Sequence, residues 1–427
     1  MRIVLATNFQ ILDEEKSAFW NDFADKLGER GMFLLVLTTN VHNSLKAPYL
    51  EIPYTLAGFG QFAFDVPAAD GFLRAQMDLE ASWQVPENLE GVEHGALQCA
   101  AFFSSLLDMV EPDLVLSWNT LQPQSRILQL ACAERCVPCQ TIEQGLLPGT
   151  LFMDPGGNHL DASLDNSFAI VSMLAKPTPD SQSVTKYREW FNGRRPAKYR
   201  KLDCTTFNLL KAKSETVSNT VLILASALGT GLAPHEQMMS RRTLPGVGGV
   251  PQILEDIAAA AEGSLLVFRD HPINREIGMT VQLPVNIHSG QDASLYDYMG
   301  IADYVIVIGG TTAAYECLVM QKPVLVVGRN MLKRLAPCAY SDGSDLRTKL
   351  REFLQTDWSA YAVRADHVLS FLLDHYLIMQ IEGLEGGNKL DDLVTFIDEY
   401  DSGNRLRDEE GSQRIVDWIL NLPREGL

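Results

Sequence analysis

The stretch Asp303–Gly328, DYVIVIGGTTAAYECLVMQKPVLVVG, decides the fold. VIVI and VLVV are short, β-branched, uninterrupted apolar runs, the pattern of strands buried on both faces. Gly309-Gly310 punctuates the end of the first run, and Thr311-Thr312 opens a helix whose sequence continues through Met320. Lys322-Pro323 then leads into the second run. Strand, helix and strand in this order make a crossover connection, and crossover connections build parallel sheets.

The same alternation extends in both directions. Ahead of this stretch lie TVLILAS, the helix VPQILEDIAAAA, SLLVFR, VNIHS and the helix ASLYDYMG. The first part of the chain carries RIVLA, a polar-rich helix from Asp13 to Arg30, MFLLVLT, and a less regular stretch through Gly58 to Asp70. It continues with a helix over HGALQCAAFFSSLLDMV, then DLVLSW, a helix from Gln124 to Glu134, and VPCQTIE. The expected fold is α/β: two Rossmann-like domains with parallel sheets, facing across a cleft, each taking ligands at the carboxyl ends of its strands. The first domain spans 1–160 and the second 219–357. Between them, 161–218 lacks strand alternation and reads as linker or helical insertion, while 358–427 reads as C-terminal helices.

At 427 residues, and with roughly 150 residues per domain, the chain has room for such a pair. Its net charge of −19 offers no global positive field for phosphate backbones, so nucleic acid is not an expected partner. Within the insertion, Arg194, Arg195, Lys198, Arg200 and Lys201 form a basic cluster. It reads as a solvated face, or as a seat for an anionic acceptor or an anionic membrane such as the cytoplasmic face of the inner membrane. The apolar run in MRIVLATNFQ is too short for a signal peptide or a span, and a cytoplasmic protein is expected. The seven cysteines are expected as reduced thiols. Cys132, Cys136 and Cys139 have the C-x3-C-x2-C spacing of an iron-sulfur site. They straddle a helix end and a strand instead of sharing a loop, and are expected as ordinary buried thiols.

The residues with chemistry to offer follow strands. His271-Pro272 comes just after SLLVFR: proline stiffens the turn, and an imidazole can donate a hydrogen bond to a phosphate. Gly309, Gly310, Thr311 and Thr312 combine backbone amides with two hydroxyls, a combination suited to a phosphate. Glu316 lies about one turn further along, where a carboxylate can accept from ribose hydroxyls. Ser289 follows another strand. There is no Asp-x-Asp and no convincing ligand spacing among His, Cys and Asp, so no metal and no cofactor are expected.

The order His-Pro, then S-x5-L-x6-A-D, then a hydroxyl pair followed by Glu and K-P-V resembles the donor domain of GT-B glycosyltransferases that use CMP-sugars. It is most similar to the capsule polysaccharide biosynthesis family that includes the β-Kdo transferases. In the first domain, DLVLSWNTLQPQSRILQLACAERCVPCQTIEQGLLPGTLFMDPGGN is similar to that family's run of strand, W-N, helix, E-x-G, L-P-x-T and D-x-G-x-N. Bacterial sialyltransferases share a looser version, with IEQG, His-Pro and Thr-Thr as counterparts here. Two departures stand out. Gln144 replaces the second acid of the acidic-acidic-Gly motif, and Glu236 is the nearest acid to the place of the family's loop aspartate.

The resemblance implies a retaining transferase of Kdo or a related sugar acid, with a CMP-sugar as donor and a surface glycan or lipid-linked glycan as acceptor. The first domain would hold the acceptor and the second the donor. His271, Thr311 and Thr312 would hold the CMP phosphate and Glu316 the ribose, with Ser289 beside the cytidine. Arg269 would meet the carboxylate of the sugar acid. Glu143 is the candidate acid or base, Glu236 the candidate nucleophile, and Asn119 and Gln122 are candidates for binding acceptor hydroxyls. The alternatives are a phosphotransferase of the CDP-glycerol type, a sugar-nucleotide epimerase, and a nucleotide-binding or assembly protein without catalysis.

Overall fold

Apolar runs that cannot satisfy their backbone groups alone pair into two sheets in the computed structural model. It describes residues 2–8, 13–53, 56–59, 89–118, 123–154, 182–193, 204–226, 250–272, 274, 281–328, 332, 339–379 and 388–399. Asn119, Gln122, Glu236 and the basic cluster Arg194, Arg195, Lys198, Arg200 and Lys201 lie outside the described residues.

The first unit contains β1 (Arg2–Asn8), α1 (Glu14–Glu29), β2 (Met32–Thr38), β3 (Tyr49–Glu51), α2 (Leu56–Phe59) and α3 (Leu89–Val110), followed by β4 (Leu114–Trp118), α4 (Pro123–Glu134), β5 (Cys139–Gln144) and β6 (Thr150–Asp154). The second contains α5 (Gln182–Gly193), α6 (Thr205–Ser214), β7 (Thr220–Ala225), α7 (Val250–Ala260), β8 (Leu265–Arg269), β9 (Ile287–Ser289) and α8 (Leu295–Ile301). It continues with β10 (Tyr304–Ile308), α9 (Ala313–Val319), β11 (Val324–Val327), β12 (Ala339–Ser341), α10 (Leu346–Gln355) and α11 (Tyr361–Phe371). The chain then returns to the first sheet with β13 (Leu377–Met379), β14 (Asn388–Lys389) and α12 (Leu390–Glu399).

In the first unit the strand order is β14-β13-β6-β5-β4-β1-β2-β3. Its central strands are buried on both faces. Val4 and Ala6 pack with Trp20, Phe23 and Trp118 on one side, and Leu5 packs with Phe103, Ile127 and Leu128 on the other. Each such aliphatic side chain contributes about 1.5–3 kcal/mol when fully buried. The second sheet, β12-β11-β10-β7-β8-β9, is parallel throughout. Counted within the unit this is the 3-2-1-4-5-6 order of a Rossmann fold. The chain is thus an α/β protein of two Rossmann-type units.

Both units fasten their first strand to the fourth in the same way. Asp113, just ahead of β4, accepts from the Ile3 amide at 2.7 Å and donates its own amide to the Ile3 carbonyl at 2.9 Å. Asp303, just ahead of β10, does the same with Thr220, at 2.8 and 2.9 Å. The aspartate of the A-D motif is therefore a strand-pairing residue at the amino edge of the sheet. Lys322 of K-P-V works at that edge too, its ammonium donating to the Ala302 carbonyl at 2.7 Å.

Three expectations are corrected. The first sheet is mixed, because the short turn after Gln144 sends β6 back antiparallel to β5, and β13 is antiparallel to β6. Two-residue to five-residue turns permit only antiparallel pairing. The segment after Trp358 is not helical throughout: β13 and β14 extend the first sheet, and Tyr376 donates to the buried Asp154 carboxylate at 3.0 Å. Cys136 is exposed, at a turn with φ of 52°, while Cys132 is buried. A hydrogen bond with the neighbouring Cys139 thiol and then burial push the Cys132 thiol well above its ordinary range.

The two helices of the insertion pack on the second unit. Arg188 of α5 pairs with Asp366 and donates to the Val319 carbonyl at 2.9 Å. Asp292, in the loop after β9, accepts from the Phe207 amide at 3.1 Å in the first turn of α6, an end that its own sequence leaves without a side-chain cap.

Candidate functional site

In a sheet of this order the switch point lies between β7 and β10, where successive connections leave toward opposite faces. The Ser226 amide, one residue past β7, donates to the Ile308 carbonyl at 3.1 Å, so the two strand ends stay together to the edge. The turn after β10 begins at Gly309, whose φ of 76° suits glycine. Among the described residues, a Cβ placed on the next residue, Gly310, would meet nothing within 4 Å, so no described side chain covers the backbone of this turn there. Thr311 is half-buried, and its Oγ1 accepts from the Ala313 amide at 3.3 Å, leaving the hydroxyl proton to donate elsewhere. Thr312 is exposed.

On the other side of β7, the turn after β8 carries Asp270, His271 and Asn274. Asp270 and Asn274 are buried and His271 is half-buried. The Asn274 carboxamide donates to the Ser226 carbonyl at 3.1 Å and to Asp270 Oδ1 at 2.7 Å. Asp270 Oδ1 also accepts from the His271 amide at 2.8 Å. The structure thus brings His271 and the Gly309–Thr312 turn to the ends of strands on either side of β7.

The other candidates in this unit stand differently. Ser289 is exposed at the end of the edge strand β9. Arg269 is buried: its Nη1 donates to the carbonyls of Gly290 at 2.8 Å and Ala293 at 2.9 Å, and its guanidinium lies 5.8 Å from the Tyr298 ring centre. This arginine fixes the loop after β9. Glu316 is buried on α9, with Oε2 lacking a hydrogen-bond partner among the described residues. Burial pushes its carboxyl above the ordinary range, opposed in part by the Tyr296 phenol. Burial and, after it, the Glu316 charge push the Tyr187 phenol of α5 above its ordinary range.

A raised folded pKa means the folded state binds the proton more tightly than the unfolded chain. The stability associated with Glu316 is greatest below the ordinary carboxyl range and declines as pH rises through the raised value. Glu316→Gln is therefore expected to unfold at a higher temperature than the wild type at pH 8, with the advantage shrinking toward pH 5. Thermal unfolding across that range tests it; a variant less stable than the wild type at every pH would overturn it.

In the first unit Glu143 is half-buried near the end of β5, opposite Phe152 of β6. Trp118, at the end of β4, donates its amide to Thr7 Oγ1 at 2.8 Å, and its carbonyl accepts from Ser125 Oγ at 3.1 Å. Thr7 and Ser125 thus brace the residue ahead of Asn119. Sequence reasoning missed them, as it missed Asp270 and Asn274, although R-D-H-P-I-N places both polar residues beside the His-Pro pair. Among the described residues, no group of three His, Cys, Asp or Glu side chains could hold a metal ion, and no helix is long and apolar enough to cross a membrane.

No protein-family model and no curated protein matches this chain. Several solved structures are similar at low identity. The β Kdo 2,4 transferase KpsC of Thermosulfurimonas dismutans is 12% identical over 67% of this chain and 87% of its own, with a TM-score of 0.42. The UDP-GlcNAc 2-epimerase of Methanocaldococcus jannaschii, in complex with UDP-GlcNAc and UDP, is 10% identical over 94% of this chain and 100% of its own, at 0.40. The spinosyn rhamnosyltransferase SpnG is 15% identical over 93% of this chain and 100% of its own, at 0.39. The Rossmann-type assignment stands on the strand orders, not on these likenesses.

Proposed function

We propose that this chain is a CMP-sugar-dependent glycosyltransferase that moves Kdo or a related sugar acid to a surface-glycan or lipid-linked acceptor with retention. The observation carrying the reading is the placement of two linked motifs. His271-Pro272 and Gly309–Thr312 both lie at the carboxyl edge of a 3-2-1-4-5-6 sheet, at the ends of the strands flanking β7. That edge is where such sheets take nucleotides. On this reading the second unit binds the donor and the first the acceptor.

Transfer breaks the bond between the anomeric carbon and the CMP phosphate, and the bonding electrons leave with the phosphate. The His271 imidazole and the hydroxyls of Thr311 and Thr312 donate hydrogen bonds to that developing charge. Glu236 is the proposed nucleophile of a first displacement. In the second, the acceptor hydroxyl attacks the anomeric carbon, Glu143 takes its proton, and the bond to Glu236 breaks, its electrons returning to that carboxylate. The cluster from Arg194 to Lys201 is the proposed contact for an anionic acceptor or membrane surface.

Calorimetry with CMP, UMP and UDP tests the donor site. CMP is expected to bind in preference to the uridine nucleotides, and His271→Ala to weaken it by about 10-fold to 100-fold, equivalent to losing a hydrogen bond to a charged group. Equal binding of all three nucleotides, or an unchanged affinity in the variant, rejects the reading. The loop after β7, where Glu236 is the nearest acid to the place of the family's aspartate, favours one other reading, a nucleotide-binding or assembly protein without catalysis. CMP binding without CMP release from CMP-Kdo in the presence of acceptors selects it.

A further inference from the structure

We propose that Asn274 is a positioning residue that sets His271 against the switch point of the nucleotide-binding sheet. The inference rests on the reading of His271 as a phosphate-binding residue. Both polar groups of the His271 backbone are held by one small network. Its amide donates to Asp270 Oδ1 at 2.8 Å, and its carbonyl accepts from the Asn274 amide at 3.1 Å. The Asn274 side chain closes the network, donating to that same Asp270 oxygen at 2.7 Å and to the Ser226 carbonyl at 3.1 Å. Ser226 in turn is tied to β10 through Ile308.

The position uses the donor half of the carboxamide, Asn274 Oδ1 having no hydrogen-bond partner among the described residues. Two donors on one nitrogen must reach a carboxylate and a main-chain carbonyl at once, in a site where Asn274 is 3% exposed. Alanine offers neither donor. Aspartate keeps the volume but faces two oxygens with a third, and buried like charges are costly. Taking this donor from the Ser226 carbonyl and one of two donors from Asp270 Oδ1 would also cost far more here than at a wet surface. With the network intact, the imidazole is left only its side-chain torsions to adjust, so most of the ordering needed to meet a phosphate is done before the ligand arrives.

The test combines amide hydrogen exchange with CMP calorimetry on Asn274→Ala, Asn274→Asp, His271→Ala and the double variant Asn274→Ala/His271→Ala. Both Asn274 variants are expected to speed exchange at the His271 amide at least about 10-fold, while the amides of Val305–Ile308 stay protected. They are also expected to weaken CMP about 10-fold, and Asn274→Ala should cost little further affinity once His271 is already alanine. Additive losses in the double variant, accelerated exchange throughout β10, or an unchanged His271 amide would each overturn the inference. A wild type that binds no CMP removes the donor-site reading and with it the role of Asn274 in binding; the exchange data then report only whether the network holds the turn.

Discussion

Gly145→Ala is expected to lower the unfolding midpoint by about 5–10 °C, and to abolish any activity that depends on Glu143 even in molecules that still fold. A Cβ on this residue would overlap Thr150 Oγ1 and stand 2.7 Å from the Thr150 carbonyl carbon. The far end of a flexible side chain can move aside; a carbonyl carbon in a paired strand cannot. Thr150 is 3% exposed, its hydroxyl donates to the Leu147 carbonyl at 2.7 Å, and its own carbonyl accepts from the Gly145 amide at 2.6 Å. Relief requires opening the hairpin, with loss of those bonds and of the register Glu143 to Phe152. Overpacking of this kind costs about 1–3 kcal/mol, to which the broken hydrogen bonds add. For a unit of this size each kcal/mol is worth about 2–4 °C. The disturbance also reaches the returning chain, since Thr150 is paired with Met379 of β13. Calorimetric unfolding measures the effect, and a midpoint within about 1 °C of the wild type would show that the turn can relax by another route.

The doubled architecture was legible because parallel strands buried on both faces cannot alternate. VLILA, LLVFR, YVIVI and VLVV therefore stand out as unbroken runs between helical segments. What escaped was created by tertiary pairing. β13 and β14 have three and two residues and no period of their own, and become strands only against β6 and each other. The return of β6 was hidden in LPGT, which reads as a turn but does not say that the next run comes back along its neighbour. The docking of α6 depends on Asp292, a residue 85 positions from the amide it caps. Polar residues near the His-Pro pair were ambiguous for a similar reason. Arg269 and Asn274 look alike as strand-end polar side chains, and only the structure separates a guanidinium that ties a loop from a carboxamide that holds the histidine turn. The A-D and K-P elements take their roles from position in the fold: Asp303 and Lys322 work at the edge opposite the histidine. Glu316 shows the limit of spacing arguments, because one turn into a helix places a carboxylate but does not say whether ligand or protein will surround it.

Glu143→Gln should reduce transfer by about 100-fold or more while leaving CMP affinity nearly unchanged. The argument begins with location. Glu143 belongs to the first unit, near the end of β5, whereas the residues proposed to hold the nucleotide belong to the second. A base acts on the acceptor hydroxyl in the transition state, so its loss appears in kcat and not in nucleotide binding. Glutamine preserves the size of the side chain and its place opposite Phe152, so the hairpin should unfold at the same temperature as in the wild type. That separates it from Gly145→Ala, which is expected to lose stability and activity together. The pH profile gives a second readout. If Glu143 is the base, the acid limb of the wild-type rate should flatten in the variant, because the group whose deprotonation it reports is gone. Steady-state release of CMP from CMP-Kdo, with calorimetry of CMP on the same preparations, measures all three quantities. An unchanged kcat with an intact acid limb would move the base elsewhere in the chain. A tenfold weaker CMP affinity would instead place Glu143 in the donor site, and so overturn the division of donor and acceptor between the two units.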